Sequence, residues 1–261
     1  MVIRARAPMR ISFAGGGTDV PPFPEREGGC VLNATINKYV YGTLRLRNDR
    51  EIRIESLDLG LVVNYDPATK PVYDGKLDLV KAALSKLVGQ DSPGFDLYLY
   101  SEVPPGTGLG SSSAVAVTLV GLLKEMLNMP LTSYEIANMA FVIERRELGI
   151  EGGWQDQYAA VFGGFNFMEF GPEGAVVNPL RVDDACVAEL EANLLLCYTG
   201  HTHLSDGIIK DQTRRYEEGD EASLRGLRRQ KELAIEMKNA LLQRRIGDIG
   251  RLLHEAWEAK K

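Results

Sequence analysis

The segment order predicts an α+β chain of two lobes. Three observations carry this. Short alternating apolar segments dominate the first part of the 261 residues, long charged helical segments dominate the last part, and a loop rich in glycine and serine joins a strand to a helix between them.

Alternation predicts strands over residues 3–7, 31–34, 39–47, 52–56, 61–64 and 95–103. Helical spacing predicts helices over 77–87, 114–127 and 134–148. The third opens on Thr132-Ser133-Tyr134-Glu135, a capping-box pattern, and puts Ile136, Ala140 and Ile143 on one face. Gly149 and the Gly152-Gly153 pair end it. A strand over 165–170 comes next. Gly171-Pro172-Glu173-Gly174 is a turn and the expected lobe boundary, giving lobes 1–172 and 173–261. Residues 192–198 then form an apolar strand, and helices are expected over 205–217, 221–243 and 246–260.

Composition narrows the class. Hydrophobic residues make up 44% and charged residues 25%, values of an ordinary globular protein. The net charge of −6 disfavours a nucleic-acid surface. No apolar signal core and no run long enough to cross a membrane occurs. Cys30, Cys186 and Cys197 are odd in number and widely spaced, which disfavours disulfides and zinc and fits a reducing cytoplasm.

The loop is Pro104-Pro105-Gly106-Thr107-Gly108-Leu109-Gly110-Ser111-Ser112-Ser113. Its glycines permit tight bends and close ligand approach. The serines fall at a helix start, where free N–H groups and the helix dipole favour an anion such as phosphate. It is not a P-loop, because no lysine follows Gly110. The G-x-G-x-G spacing also fails the dinucleotide fingerprint, which disfavours an oxidoreductase. Glu144 would sit in the last turn of its helix, where an anion opposes the dipole and needs a partner. That partner is a metal, or Arg145 or Arg146 in a surface ion pair. Glu147 and Glu151 are competing acids.

The string from Pro104 to Ala114 resembles the P-x-x-x-G-L-G-S-S-A motif of the GHMP kinases. Two further strings extend the resemblance over nearly the whole chain. Ala7-Pro8-Met9-Arg10 followed by Gly15-Gly16-Gly17-Thr18-Asp19 is similar to the start of the family's sugar kinases. Gly153-Trp154-Gln155-Asp156-Gln157 matches its G-x-x-D-Q string. The glycine version of the first string, without the Glu-His pair of galactokinases, resembles the heptose phosphate kinases and fucokinase-like enzymes.

The resemblance implies a GHMP two-lobe fold: a ribosomal protein S5 domain 2-like first lobe and an incomplete ferredoxin-like second lobe. ATP would lie on Pro104, Gly106, Gly108, Leu109, Gly110, Ser111, Ser112 and Ser113. Mg²⁺ would be held by Ser112 and Glu144, which suits a cation of hard oxygen ligands. Asp156 would be the catalytic carboxylate, with Arg10 beside it keeping it ionised. Gly16, Gly17, Thr18 and Asp19 would bind the sugar. The implied reaction is ATP-dependent phosphorylation of the anomeric hydroxyl of D-glycero-D-manno-heptose 7-phosphate, feeding nucleotide-activated heptose and surface glycans. The alternatives are another sugar-1-kinase, of the galactokinase or fucokinase kind, or a weakly catalytic sugar- or nucleotide-binding relative. No nucleic-acid or membrane partner is expected.

The family's third glycine-rich motif does not occur before Lys261. The second lobe is therefore expected to be partial, with one strand and three helices. It would expose apolar surface open to pairing with another chain, as a homo-dimer. His201 and His203 are expected on a polar loop at the cleft rim.

Overall fold

The computed structural model describes residues 1–197 and 206–260. His201 and His203 lie outside these residues. The chain divides into two compact units. One gathers Met1–Met9, Ile36–Ile150 and Asp156–Val161; the other gathers Arg10–Thr35, Glu151–Gln155 and Phe162–Lys261.

In chain order the elements are β1 (Val2–Ala14), α1 (Phe23–Glu27), β2 (Gly29–Leu46), β3 (Ile52–Ser56), β4 (Leu61–Tyr65), α2 (Asp78–Leu87) and β5 (Phe95–Ser101). Then come α3 (Ser111–Met126), α4 (Ser133–Phe141), a π-helical stretch (Val142–Glu147), α5 (Gln155–Phe162), β6 (Phe165–Gly171) and β7 (Gly174–Pro179). The chain finishes with α6 (Asp184–Asn193), α7 (Asp206–Glu217), α8 (Glu221–Leu242) and α9 (Ile246–Glu258).

The first unit's sheet runs β4-β3-β5-β2, with β1 also paired to β2. β5 lies antiparallel to β2, with Val40 opposite Ser101 and Leu46 opposite Phe95. β3 lies parallel to β5. The helices α2 and α3 supply Leu84, Leu119, Leu122 and Leu123 to one core with Leu44, Ile54, Phe95 and Leu97 of the strands. This core fixes the end of β5, from which the glycine loop departs. Asp96 of β5 is buried and takes the Arg45 guanidinium at 2.7 Å and that of Arg47 at 3.0 Å.

The second unit holds more sheet than the segment order suggests. Its strands come partly from before the glycine loop: the start of β2 pairs with β6, Gly29 opposite Phe170, and β6 pairs with β7. Against them α8 and α9 pack Leu233, Met237, Leu241, Ile249 and Leu252, with Phe13, Leu32 and Phe167 from the strands.

Several expectations need correction. The strands at 31–34 and 39–47 are one strand, because nothing in Thr35-Ile36-Asn37-Lys38 breaks extended backbone. The turn at 171–174 is not a lobe boundary but the turn of the β6–β7 hairpin, with Gly171 opposite Gly174. The strand at 192–198 is not formed. Asp183 caps α6 by accepting from Ala185 N at 3.1 Å, and the helix carries through Asn193. Residues 194–197 then follow no regular element, and Leu195 and Leu196 are 98% and 74% exposed. Tyr198 lies outside the described residues. An apolar segment without a neighbouring strand has nothing to pair its backbone with.

Two outcomes follow. Met237→Ala removes a fully buried side chain and should cost about 2–5 kcal/mol, whereas Leu195→Ser should change stability by less than about 0.5 kcal/mol; thermal melts compare them. Arg45, then Arg47, hold the Asp96 carboxyl below the usual carboxylate range against the opposing effect of burial. Its contribution is complete above the unfolded pKa of about 3.9 and is lost as pH falls through the lower folded value. Acid titration of Asp96→Asn should show a shallower loss of stability in that window than the parent.

Candidate active site

In the first unit, Gly106, Gly108 and Gly110 all have positive φ, between 73° and 77°. That left-handed backbone turns the chain from β5 into α3 and disfavours any residue with a Cβ. Gly110 is the N-cap, and no side chain caps the helix. The serines therefore do not serve as caps, and the first-turn N–H groups of α3 keep their capacity for an anion. Pro104, Pro105, Gly108 and Ser112 are exposed, and Ser113 is buried.

Glu144 is 1% exposed and lies in the π-helical stretch. Such widened turns often occur at functional sites. Its Oε2 accepts from Ser113 Oγ at 2.7 Å and from Gln157 Nε2 at 2.7 Å. Gln157 Nε2 also reaches Ser113 Oγ at 3.1 Å. Arg145 Nη1 stands 3.5 Å from Glu144 Oε1. A surface ion pair thus describes Glu147, which meets Lys86 at 2.7 Å with both side chains partly exposed, and does not describe Glu144.

The serine that meets Glu144 is Ser113, one residue beyond Ser112. The buried Gln157 Oε1 has no hydrogen-bond partner among the described residues. A carboxylate and a hydroxyl in contact, steadied by the Gln157 amide N–H, fit Mg²⁺, which takes hard oxygens and leaves room for phosphate oxygens and water. Asp156 follows in the first turn of α5, where the helix dipole favours an anion, and is half-buried.

In the second unit, the turn after β1 is tied to itself. Thr18 N donates to Gly15 O at 3.0 Å. The Thr18 hydroxyl lies 2.7 Å from Gly15 O and 2.9 Å from Cys30 O, and accepts from Cys30 N at 3.1 Å. Asp19 is 1% exposed. Its carboxylate accepts from Gly17 N at 3.1 Å, Gln155 N at 3.1 Å and Gln155 Nε2 at 3.3 Å. A Cβ on Gly153 would stand 2.0 Å from Asp19 Oδ2. So Thr18 and Asp19 shape the turn, and Gly153 is glycine because the carboxylate occupies the space of a side chain. Arg10, in β1, is half-buried.

Reading the sequence missed Gln155 and Gln157. Their flanking of Asp156 in the G-x-x-D-Q string was the available signal. Gly153→Ala should displace Asp19 and cost at least about 2 kcal/mol, as for a buried charge losing its hydrogen bonds. Gly171→Ala, with nothing within 4 Å of its Cβ position, should be neutral. Denaturant unfolding of the two variants checks this.

Comparison with known proteins agrees with these motifs. Residues 78–164 match the model of the GHMP kinases N terminal domain. The chain is 41% identical over 263 residues to a D-glycero-alpha-D-manno-heptose 7-phosphate kinase of Campylobacter jejuni, covering 99% of this chain and 77% of that one. It is 30% identical to a bifunctional fucokinase/GDP-fucose pyrophosphorylase of Arabidopsis thaliana, over 97% of this chain and 25% of that one. Among solved structures, a D-glycero-D-manno-heptose 1-phosphate kinase from Bacteroides thetaiotaomicron superposes with a TM-score of 0.83 at 36% identity, covering 100% of this chain and 79% of that one. With its glycine loop, its buried glutamate and its G-x-x-D-Q string in place, the chain belongs to the GHMP kinase family, as a sugar kinase.

Proposed function

We propose that the protein transfers the γ-phosphoryl group of ATP to the anomeric hydroxyl of D-glycero-D-manno-heptose 7-phosphate, giving the 1,7-bisphosphate. The product would serve nucleotide-activated heptose and surface glycan synthesis in the cytoplasm. The observation that carries the reading is the buried Glu144–Ser113–Gln157 set in the same unit as an uncapped helix N-terminus and its glycine loop. The heptose kinase relative, similar over 99% of the chain, supports the choice of sugar.

Phosphoryl transfer asks a protein mainly for positioning and charge stabilisation. Backbone N–H groups of residues 106–113 take the phosphate oxygens. Glu144, with a serine of the loop, would hold Mg²⁺, which would supply positive charge against the phosphates. Asp156 accepts or orients the proton of the anomeric hydroxyl. That oxygen forms its bond to the γ-phosphorus as the bond to the β–γ bridging oxygen breaks, and ADP leaves. Arg10 offers a guanidinium to charge on the transferring group.

Steady-state assays of ADP release test the roles. Asp156→Asn should lower kcat by about 10²–10⁴ with ATP affinity nearly unchanged; a near-normal kcat would remove Asp156 from the chemistry. Glu144→Gln should raise the Mg²⁺ concentration needed for half-maximal rate, and Glu147→Gln should leave it alone. The reverse pattern would assign the metal to the other acid. Ser112→Ala and Ser113→Ala, tested beside Glu144→Gln, identify the serine by which of them also raises the Mg²⁺ requirement.

A further inference from the structure

The three glycines of the turn after β1 are not equivalent. Gly15 and Gly17 have φ of 85° and 99°. A Cβ on Gly15 would also meet the Cys30 carbonyl at 2.0 Å, and one on Gly17 would meet Gln212 Oε1 at 2.7 Å. Backbone conformation and close packing account for both. Gly16 has neither reason: its φ is outside the left-handed range, and no backbone atom is among the three nearest its Cβ position. That position instead lies 3.2 Å from Lys260 Nζ, 3.4 Å from Ser12 Oγ and 3.6 Å from Gln155 Nε2. Three polar side chains converge over the one glycine whose backbone does not need to be glycine.

We infer that Lys260, Ser12 and Gln155, over the bare Cα of Gly16, bind hydroxyl groups of the acceptor sugar. The inference rests on the sugar-kinase reading above and adds three side chains to the turn of Thr18 and Asp19, which Gly15, Gly17, Cys30 and Gln155 hold in place. Gln155 is more than nine-tenths buried, and its Oε1 has no hydrogen-bond partner among the described residues. It is an acceptor awaiting a donor. Lys260 only donates, and Ser12 does both. A phosphate would present acceptors alone and leave Gln155 Oε1 still without a donor. A sugar hydroxyl accepts from Lys260 or Ser12 and donates to Gln155, so it matches the mixed set. Lys260 is exposed as a residue, yet its ammonium is turned in against Gly16. Burial of that ammonium, opposed by Asp19 and reinforced by Arg10, holds its pKa below the usual lysine range.

The test uses Gly16→Ala, which fills the space, and Lys260→Met, which keeps the stem and removes the donor. Acceptors are D-glycero-D-manno-heptose 7-phosphate and the same heptose without its phosphate. Each variant should raise KM for both sugars by about tenfold, with ATP KM and melting temperature unchanged. Calorimetric titration of the same sugars without phosphoryl transfer should show the same weakening. Wild-type protein that binds heptose 7-phosphate but transfers no phosphate would refute the proposed reaction; weakened binding in the variants would still uphold the site. Sugar binding within twofold of wild type in both variants would overturn the inference. So would a loss confined to the phosphorylated sugar, which would assign Lys260 to the phosphate, or the absence of sugar binding by wild type.

Discussion

Two carboxylates buried to 1% exposure, Asp19 in the second unit and Glu144 in the first, constrain the chain around each of them more than any other feature. An unpaired buried carboxylate costs several kcal/mol, so each must be met by donors in fixed places. Both are met from one short stretch. Gln155 gives its backbone N–H and its amide to Asp19, and Gln157 gives its amide to Glu144 and Ser113. Asp156 is the residue between them in sequence.

This arrangement also explains the local backbone. Gly153 has no side chain because Asp19 stands where one would be. The π-helical stretch brings Glu144 to Ser113 at the start of α3, where a dipole-disfavoured anion would otherwise have stayed at the helix surface. The glycine loop stays open on its outer side: nothing lies within 4 Å of the Gly108 Cβ position, so positive φ and not crowding requires that glycine. A buried Glu144 bonded to Ser113 beside an open loop suits a reaction in which the protein positions charge and contributes little covalent chemistry.

The elements legible in the sequence were those with a local cause. The capping box at Thr132 is present with both of its bonds, and the periodic helices 221–243 and 246–260 lie within two residues of their expected ends. The loop before α3 was legible because left-handed turns select glycine. What escaped depends on partners distant in sequence. β7 and α5 are short and weakly periodic, and β6 and the start of β2 fix the hairpin by pairing. Leu194 to Cys197 have strand-like composition, but no strand among the described residues pairs with them. At the site, the family resemblance pointed to Glu144 and Ser112, whereas the hydroxyl that meets Glu144 is that of Ser113. The choice depends on which hydroxyl the turn of α3 directs inward. Gln155 and Gln157 were invisible as anchors because their carboxylates come from other segments of the chain.

The central claim is that this chain phosphorylates a sugar at its anomeric oxygen. The most direct test is ³¹P NMR of the purified protein with ATP, Mg²⁺ and D-glycero-D-manno-heptose 7-phosphate. A new resonance coupled to the anomeric proton is expected, growing in step with ADP while the 7-phosphate signal persists. ADP accompanied only by inorganic phosphate, or a new phosphate ester coupled to any other sugar proton, would contradict it.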